Sequence, residues 1–366
     1  MKKTILSTLL LLVGFLTSNA QGFSVRATVN DGYNGKKIYL ANYSQRKWVK
    51  KDSTVIKDNK FVFEGKTESP DVCYILYSEG GKQIFNDFIL ENTIIALNVT
   101  IGDNIDLTAV GTKSNTAYEA YKAVLGDYRE KMAPIRKQME QQRDNKAATD
   151  SLREIMYSYG DMVETKLTQL IEENTDNFTG LLLAQNYYRQ WSVAKLQAFL
   201  DRIPQDLRSS DMYKKIYTHT TTIEKTSEGK KFLDIVAKTP EDKEIKLSDY
   251  AGKGKLVLVD FWASWCGPCM MEMPNVVKAY ELYKDKGLEI VGVSLDNKAD
   301  AWKKALVDKK MTWPQMSDLK GWSCEGAKTY GVSSIPSTVL IDKDGTIIAR
   351  GLRGEQLIEK IAELLK

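Results

Sequence analysis

A chain of 366 residues is long enough for two or three domains, each with its own core. Its hydrophobic content of 43% and charged content of 27% are ordinary for soluble globular protein and argue against disorder. The net charge is +4, part of it carried by Lys2 and Lys3, so there is no case for nucleic acid, which needs a clustered basic surface.

Residues 1–20 read as a signal peptide. Lys2 and Lys3 form a basic start, Ile5 to Leu16 an apolar core, and Ser18-Asn19-Ala20 a small-residue cleavage site. The apolar run falls short of the ~20 residues a membrane span needs, and no Cys follows it to take a lipid anchor. Export implies an oxidising compartment, in which a dithiol works only if something re-reduces or re-oxidises it.

Residues 21–113 are strand-rich. Phe23, Val25, Ala27 and Val29 alternate with polar residues, the period of a half-buried strand. Further strands are expected over Lys36–Tyr43, Lys47–Val55, Lys60–Glu64, Val72–Tyr77, Gln83–Leu90, Thr93–Val99 and Ile105–Val110. Asp58-Asn59 and Gly80-Gly81 mark turns between them. Short strands at this spacing predict a small antiparallel sandwich or barrel. Cys73 falls in an apolar run and reads as a buried, inert thiol.

Residues 114–226 are helical. Tyr118, Tyr121, Leu125, Tyr128, Met132, Ile135 and Met139 recur at spacings of three and four, and Leu152, Met156, Tyr159, Val163, Leu167 and Leu170 do much the same. That pattern predicts two amphipathic helices joined by a polar turn near Arg143–Asp150, an antiparallel hairpin whose stripes would also suit a homodimer. Pro134 should kink the first. Asp176 or Asn177 would cap a third helix, and further helical segments are expected over Val193–Leu200 and Ser210–Ile223. His219, the sole histidine, sits in a Thr-rich stretch without a nucleophile pattern and reads as a surface or supporting residue.

The polar, glycine-containing stretch Thr226–Lys231 is the expected boundary to a third domain over residues 229–366. Phe232–Ala237 and Glu244–Leu247 predict a hairpin, with Ser248 capping a short turn after it. Leu256–Phe261 is apolar and β-branched except for Asp260, as a buried strand of a parallel sheet would be. After it come Trp265-Cys266-Gly267-Pro268-Cys269 and a helical run containing Pro274. Leu288–Leu295 predicts a strand, Asp300–Lys309 a helix, Thr312–Met316 a strand, and Trp322–Tyr330, which contains Cys324, a helix. Thr338–Asp342 and Thr346–Arg350 predict a hairpin and Gly354–Leu365 a closing helix.

A Cys-x-x-Cys between a strand and a helix is a thiol–disulfide motif. The free N–H groups and positive dipole end of the helix favour Cys266 as thiolate. That thiolate attacks; Cys269, one turn in, resolves the mixed disulfide. A zinc half-site is disfavoured, because Cys73, His219 and Cys324 lie far from the pair with no ligand spacing. A static disulfide is the other alternative, and so short a loop would stabilise little. Neither a metal nor a cofactor is called for.

These residues resemble the thioredoxin-like superfamily. Asp260 lies six residues before Cys266, where that family keeps a buried acid; Pro274 lies eight after it, where the family has a kinking proline; Ile335-Pro336-Ser337-Thr338 looks like its cis-proline segment. Glu272, in the frame Cys-x-x-Cys-x-x-Glu-x-Pro, resembles the envelope branch, the thiol–disulfide oxidoreductases related to cytochrome c maturation (the TlpA and ResA kind). The strand-rich region loosely resembles the β domain of unknown function that accompanies such domains.

The resemblance implies a multidomain protein: an N-terminal antiparallel β domain, a central helical region and a C-terminal α/β thioredoxin-like fold. It implies a redox disulfide between Cys266 and Cys269, proton exchange with Asp260, a tuning or dipole-complementing role for Glu272, and substrate contacts from Trp265, Ile335 and Pro336. Its partners would be disulfide-containing proteins of the periplasm or cell envelope and a membrane thiol-reductase as electron donor. Gly267-Pro268 is the pair found in thioredoxin, whose potential of about −270 mV favours a reductant. One departure stands out: Ile290–Leu295 lacks the lysine that many thioredoxins place near the buried acid. An envelope scaffold with a non-catalytic disulfide and a thiol peroxidase are the competing functions. The second Cys three residues on, and the Ala263-Ser264-Trp265 lead-in, weigh against the peroxidase.

Overall fold

The computed structural model describes residues 22–44 and 46–365. The expected signal segment, residues 1–20, lies outside them. The described residues divide into two compact units, residues 22–184 with 203–210, and residues 185–202 with 211–365.

The first unit is built on eight strands: β1 (Phe23–Val29), β2 (Lys37–Ser44), β3 (Lys47–Val55), β4 (Lys60–Gly65), β5 (Asp71–Glu79), β6 (Lys82–Leu90), β7 (Ile94–Ile101) and β8 (Ile105–Val110). They form two four-stranded sheets, ordered β4-β1-β7-β8 and β3-β2-β5-β6. Alternation of buried and exposed residues along β7, β8 and β1 from Val25 onward turns one face of their sheet inward. Val25, Phe63 and Leu97 from that sheet share one core with Ile38, Ile75 and Phe88 from the other. One pairing departs from the antiparallel expectation: β1 runs parallel to β7, Ser24 opposite Ile94 through Val29 opposite Val99. Hydrophobic period fixes which face is buried but not strand direction. Here the intervening strands β2 to β6 serve as the crossover a parallel pair requires.

Helices α1 (Lys113–Gln141), α2 (Lys146–Glu173) and α3 (Phe178–Ala184) complete this unit. Thr112 and Asn145 cap the first two, accepting from the N–H groups of Asn115 and Ala148. Asn177 caps α3 through the N–H groups of Thr179 and Gly180. Pro134 stands inside α1, and the helix continues through it. The buried Asn115 side chain ties α1 to β6, accepting from the Ile89 N–H at 2.9 Å and donating to the Ile89 carbonyl at 2.8 Å. Most of the two hairpin stripes is half-buried; only Tyr118, Met132 and Leu167 among the stripe residues are fully buried.

The second unit begins with α4 (Val193–Arg202) and α5 (Asp211–Lys225). Its sheet holds β9 (Val236–Lys238), β10 (Glu244–Lys246), β11 (Leu256–Trp262), β12 (Leu288–Ser294), β13 (Gln315–Ser317), β14 (Ser337–Ile341) and β15 (Ile347–Arg350), in the order β10-β9-β13-β12-β11-β14-β15. Helices α6 (Gly267–Tyr283), α7 (Ala299–Asp308), α8 (Glu325–Thr329) and α9 (Gly354–Leu364) connect or follow the strands. Every residue of β11 is buried. It pairs in parallel with β12 and antiparallel with β14, so it occupies the middle of the mixed sheet. This is the thioredoxin-like arrangement.

Two local expectations change. The 322–330 segment is not one helix. An extended Cys324 separates a single 3-10 turn from α8, whose first N–H groups include that of Glu325, bonded to Asp318 at 3.0 Å. Ser248 does not cap its turn; it donates from its N–H and hydroxyl to Asp234 (2.9 and 2.7 Å), while Asp249 accepts from the Lys246 N–H.

Candidate active site

The site is assembled where β11 ends. The strand delivers the chain into Ala263, Ser264 and Trp265, and α6 starts at Gly267 with Pro268 in its first turn, where a missing N–H costs nothing. Cys266 is the N-cap residue of α6. The backbone N–H of Cys269 donates to Cys266 Sγ at 3.1 Å. The two cysteines are joined as a disulfide, with Cα atoms 5.2 Å apart. Both residues are buried, Cys269 1% exposed and Cys266 5%. When the bond is reduced, the first turn of α6 offers backbone N–H groups and the positive end of the helix to Cys266.

Ile335–Pro336 is a cis peptide bond, as the resemblance implies, and the Ile335 carbonyl oxygen lies 3.6 Å from Cys266 Sγ. Pro336 is buried. The structure therefore brings Cys266, Cys269, Ile335 and Pro336 together. Trp265 is half exposed beside them. Its ring is 6.1 Å from that of Trp322, which is also half exposed.

Asp260 is buried in the middle of β11, opposite Gly292 on β12 and Thr338 on β14. Burial pushes its carboxyl up to about 7; the nearby Glu272 carboxylate adds to the rise and Arg353 opposes it. Glu272 complements a helix other than its own. Its Oε1 accepts from the N–H of Gly354, the first residue of α9, at 2.7 Å, and its Oε2 accepts from Asn275 Nδ2 at 3.2 Å. Glu272 and Asp260 are thus electrostatic neighbours.

Three further residues join the site without having been legible in the sequence. Buried Asp296 accepts from the Ser264 N–H (2.9 Å), the Ser264 hydroxyl (2.5 Å) and the Ser294 hydroxyl (2.8 Å), which fixes the turn leading into Cys266. Arg353 donates to the Pro336 carbonyl and supplies the positive charge that faces Asp260. The position across from Asp260 on β12 is Gly292, over which the Gln315 amide lies so closely that an added Cβ would meet it at 2.2 Å. With glycine there, β12 presents no cation to Asp260, and Arg353, the N-cap residue of α9, provides it instead. Trp322 is the third, brought to Trp265 from the 3-10 turn before Cys324.

The remaining singled-out residues lie apart from this arrangement. Cys73 and Cys324 are free and buried. Burial pushes the Cys73 thiol up to about 12 and raises that of Cys324. His219 lies on α5, edge-on to Tyr188, and burial, with Arg189 and Arg350 adding, holds its pKa below the usual imidazole value.

Known proteins resemble both parts of the chain. The AhpC/TSA family matches residues 229–350, and a domain of unknown function, DUF4369, matches residues 23–118. The thiol-disulfide oxidoreductase ResA of Bacillus thuringiensis subsp. konkukian is 40% identical over 146 residues, 40% of this chain and 81% of that protein. The protein of the same name from Geobacillus kaustophilus is 35% identical over 155 residues, 41% of this chain and 86% of the relative. Among solved structures, the thioredoxin domain of a thiol-disulfide oxidoreductase from Bacteroides vulgatus is 34% identical, with a TM-score of 0.36 and 38% of this chain and 99% of that one covered. The chain belongs, through its second unit, to the ResA-like thiol–disulfide oxidoreductases of the thioredoxin-like superfamily.

Proposed function

We propose that the protein is an exported reductant of protein disulfides, working through Cys266 and Cys269. The observation that carries this reading is the Cys269 N–H aimed at Cys266 Sγ at the head of α6, with the Ile335 carbonyl 3.6 Å away. In the reduced protein the Cys266 thiolate attacks one sulfur of a substrate disulfide. An S–S bond forms to Cys266, the substrate bond breaks, and the other substrate sulfur leaves as a thiolate. Asp260, with a pKa near neutrality, takes the Cys269 proton, through water, and the new thiolate attacks Cys266 Sγ. The substrate departs with both sulfurs reduced, and the protein is left with the Cys266–Cys269 disulfide.

The Ile335 backbone offers an extended substrate a strand-like partner, and Trp265 offers an apolar rim. Arg353 and Asp296 are positioning residues: one holds the Pro336 carbonyl and moderates Asp260, the other holds Ser264. The leader-like residues 1–20 support work in the periplasm or the wider cell envelope, on disulfide-containing proteins there, including the kind handled in cytochrome c biogenesis. Continuous turnover then needs two electrons per cycle from a membrane thiol-reductase. Among the described residues no helix is long and apolar enough to cross a membrane.

Reduction of a protein disulfide such as that of insulin, with a chemical dithiol as electron source, tests the reading. The parent is expected to turn over and Cys266→Ser to be silent. A parent no faster than Cys266→Ser would overturn it in favour of an envelope scaffold with an inert disulfide.

A further inference from the structure

Helix α5 presents Asp211, Lys214, Lys215, Thr218, His219 and Thr222 at alternating steps of three and one, which places them on one helix face. All six line an open groove of about 890 Å³ on the second unit. Arg189 and Lys328 enter the same groove from other segments. Asp211 is the one carboxylate in the lining. Lys328 is partly neutralised by Glu325 at 3.2 Å. Lys214 and Lys215 make no salt bridge among the described residues. Arg189 is oriented instead by Tyr188, donating from Nε to its hydroxyl at 3.1 Å and lying over its ring. The groove wall thus carries an excess of positive charge that the protein itself does not balance. His219 adds a buried Nε2 without a partner in the same wall.

Two lining residues connect the groove to the surroundings of the dithiol. Trp322 lines it, and the Trp322 ring stands 6.1 Å from Trp265, the residue before Cys266. Ser333, also in the lining, is two residues before Ile335, whose carbonyl faces Cys266 Sγ. A second cavity of about 710 Å³ shares Arg189, His219 and Ser333 and continues along Ser334 and Ser337.

We infer that this groove is a docking site for an acidic, extended segment of the protein whose disulfide is exchanged, with Arg189, Lys214 and Lys215 as its anion contacts. Arg189 suits a bidentate carboxylate contact, and the two lysines act as point charges that raise the encounter rate and set orientation. An extended chain held there leaves past the two tryptophans toward Cys266, and so brings a nearby disulfide to the attacking sulfur. Helix α5 lies outside the residues matched to the AhpC/TSA family, so the selectivity would be particular to chains that carry these helices.

The inference rests on the oxidoreductase reading, and its test separates the two. Two synthetic peptides carry the same disulfide, one flanked by Asp and Glu, the other by Ser and Gln. The reduced full chain should reduce the acidic peptide about tenfold faster than the neutral one at roughly 20 mM salt and less than about twofold faster at roughly 300 mM, where the Debye length is short. Lys214→Glu with Lys215→Glu should abolish that preference while the neutral peptide keeps its rate; the milder Lys214→Gln with Lys215→Gln pair, on the same exposed positions, should reduce it. Anisotropy of a labelled acidic peptide without cysteine should show binding to the parent that weakens at least about fivefold in the Glu pair. Equal rates for both peptides, or an acidic preference that survives the Glu pair, would overturn the docking site. If the parent reduces neither peptide, the oxidoreductase reading fails, and the anisotropy alone decides the groove: unchanged binding in the Glu pair overturns it and weakened binding upholds it.

Discussion

Cys73 on β5 and Cys266 at the head of α6 are almost equally hidden from solvent, at 0% and 5% exposure, yet their surroundings are opposed. Cys73 lies in the sandwich core, its Sγ donating to Asn42 Oδ1 at 3.0 Å, and burial pushes its thiol up to about 12. It has an acceptor to donate to and little reason to ionise. Cys266 has the reverse: a backbone N–H donating to its sulfur and a helix dipole ending on it. The difference teaches that burial alone does not decide whether a cysteine is inert. What decides is whether the backbone around the sulfur presents donors or acceptors, and a strand interior with its N–H groups already paired presents none.

The sharpest way to break this comparison is to exchange the cysteines' fates by mutation. Cys266→Ser should abolish disulfide exchange, while Cys73→Ala should leave its rate unchanged and lower stability by about 1–2 kcal/mol, measured by denaturant unfolding. Next in size, Cys269→Ala should stop turnover and accumulate mixed disulfides on Cys266, visible as mass-shifted species on non-reducing gels. If nothing is captured above a Cys266→Ala control, the resolving role of Cys269 fails.

Asp260→Asn should slow resolution of the mixed disulfide by about 10- to 100-fold and remove a limb of the pH–rate profile near pH 7. Its effect on stability has a definite sign. The folded-state pKa is raised from 3.8 to about 7, so the folded protein binds the proton more tightly than the unfolded chain. The stability this contributes is complete below pH 3.8 and is lost as pH rises through about 7. Asp260→Asn should therefore raise stability relative to the parent at pH 8 to 9, on the order of 2–4 kcal/mol, and flatten the decline between pH 4 and pH 8. A parent curve flat over that interval would contradict the buried acid. Smallest is the expected effect of Arg353→Met. It removes the cation that holds Asp260 down, so the limb near pH 7 should move to higher pH and the rate at pH 7 change about two- to threefold.

Much of this was legible in the chain. Alternation over Phe23–Val29 marked the first strand, Cys266 and Cys269 stood out by their spacing, and the buried acid and the cis-proline segment followed from the resemblance to the thioredoxin-like superfamily. What could not be read is direction and reach. The parallel pairing of β1 with β7 joins segments some seventy residues apart, and no local pattern records it. Asp296, Trp322 and Arg353 reach the site from 30 to 87 residues after Cys266, each after a different element, and none carries a motif of its own. Glu272 was placed correctly on α6, but its carboxylate serves the start of α9, a contact that only the packed structure reveals. A helix over Ser210–Ile223 was expected from the sequence; that its Lys214, Lys215 and His219 share a groove with Trp322 was not.

The central claim is that the first turn of α6 holds the Cys266 sulfur ionised. Its most direct test is the pH dependence of alkylation of the fully reduced protein by iodoacetamide, with labelling at Cys266 read by mass spectrometry. The expected midpoint lies at least about one unit below the free-thiol value of about 8.5, with Cys73 unlabelled across the range. A Cys266 midpoint at or above about 8.5 would contradict it.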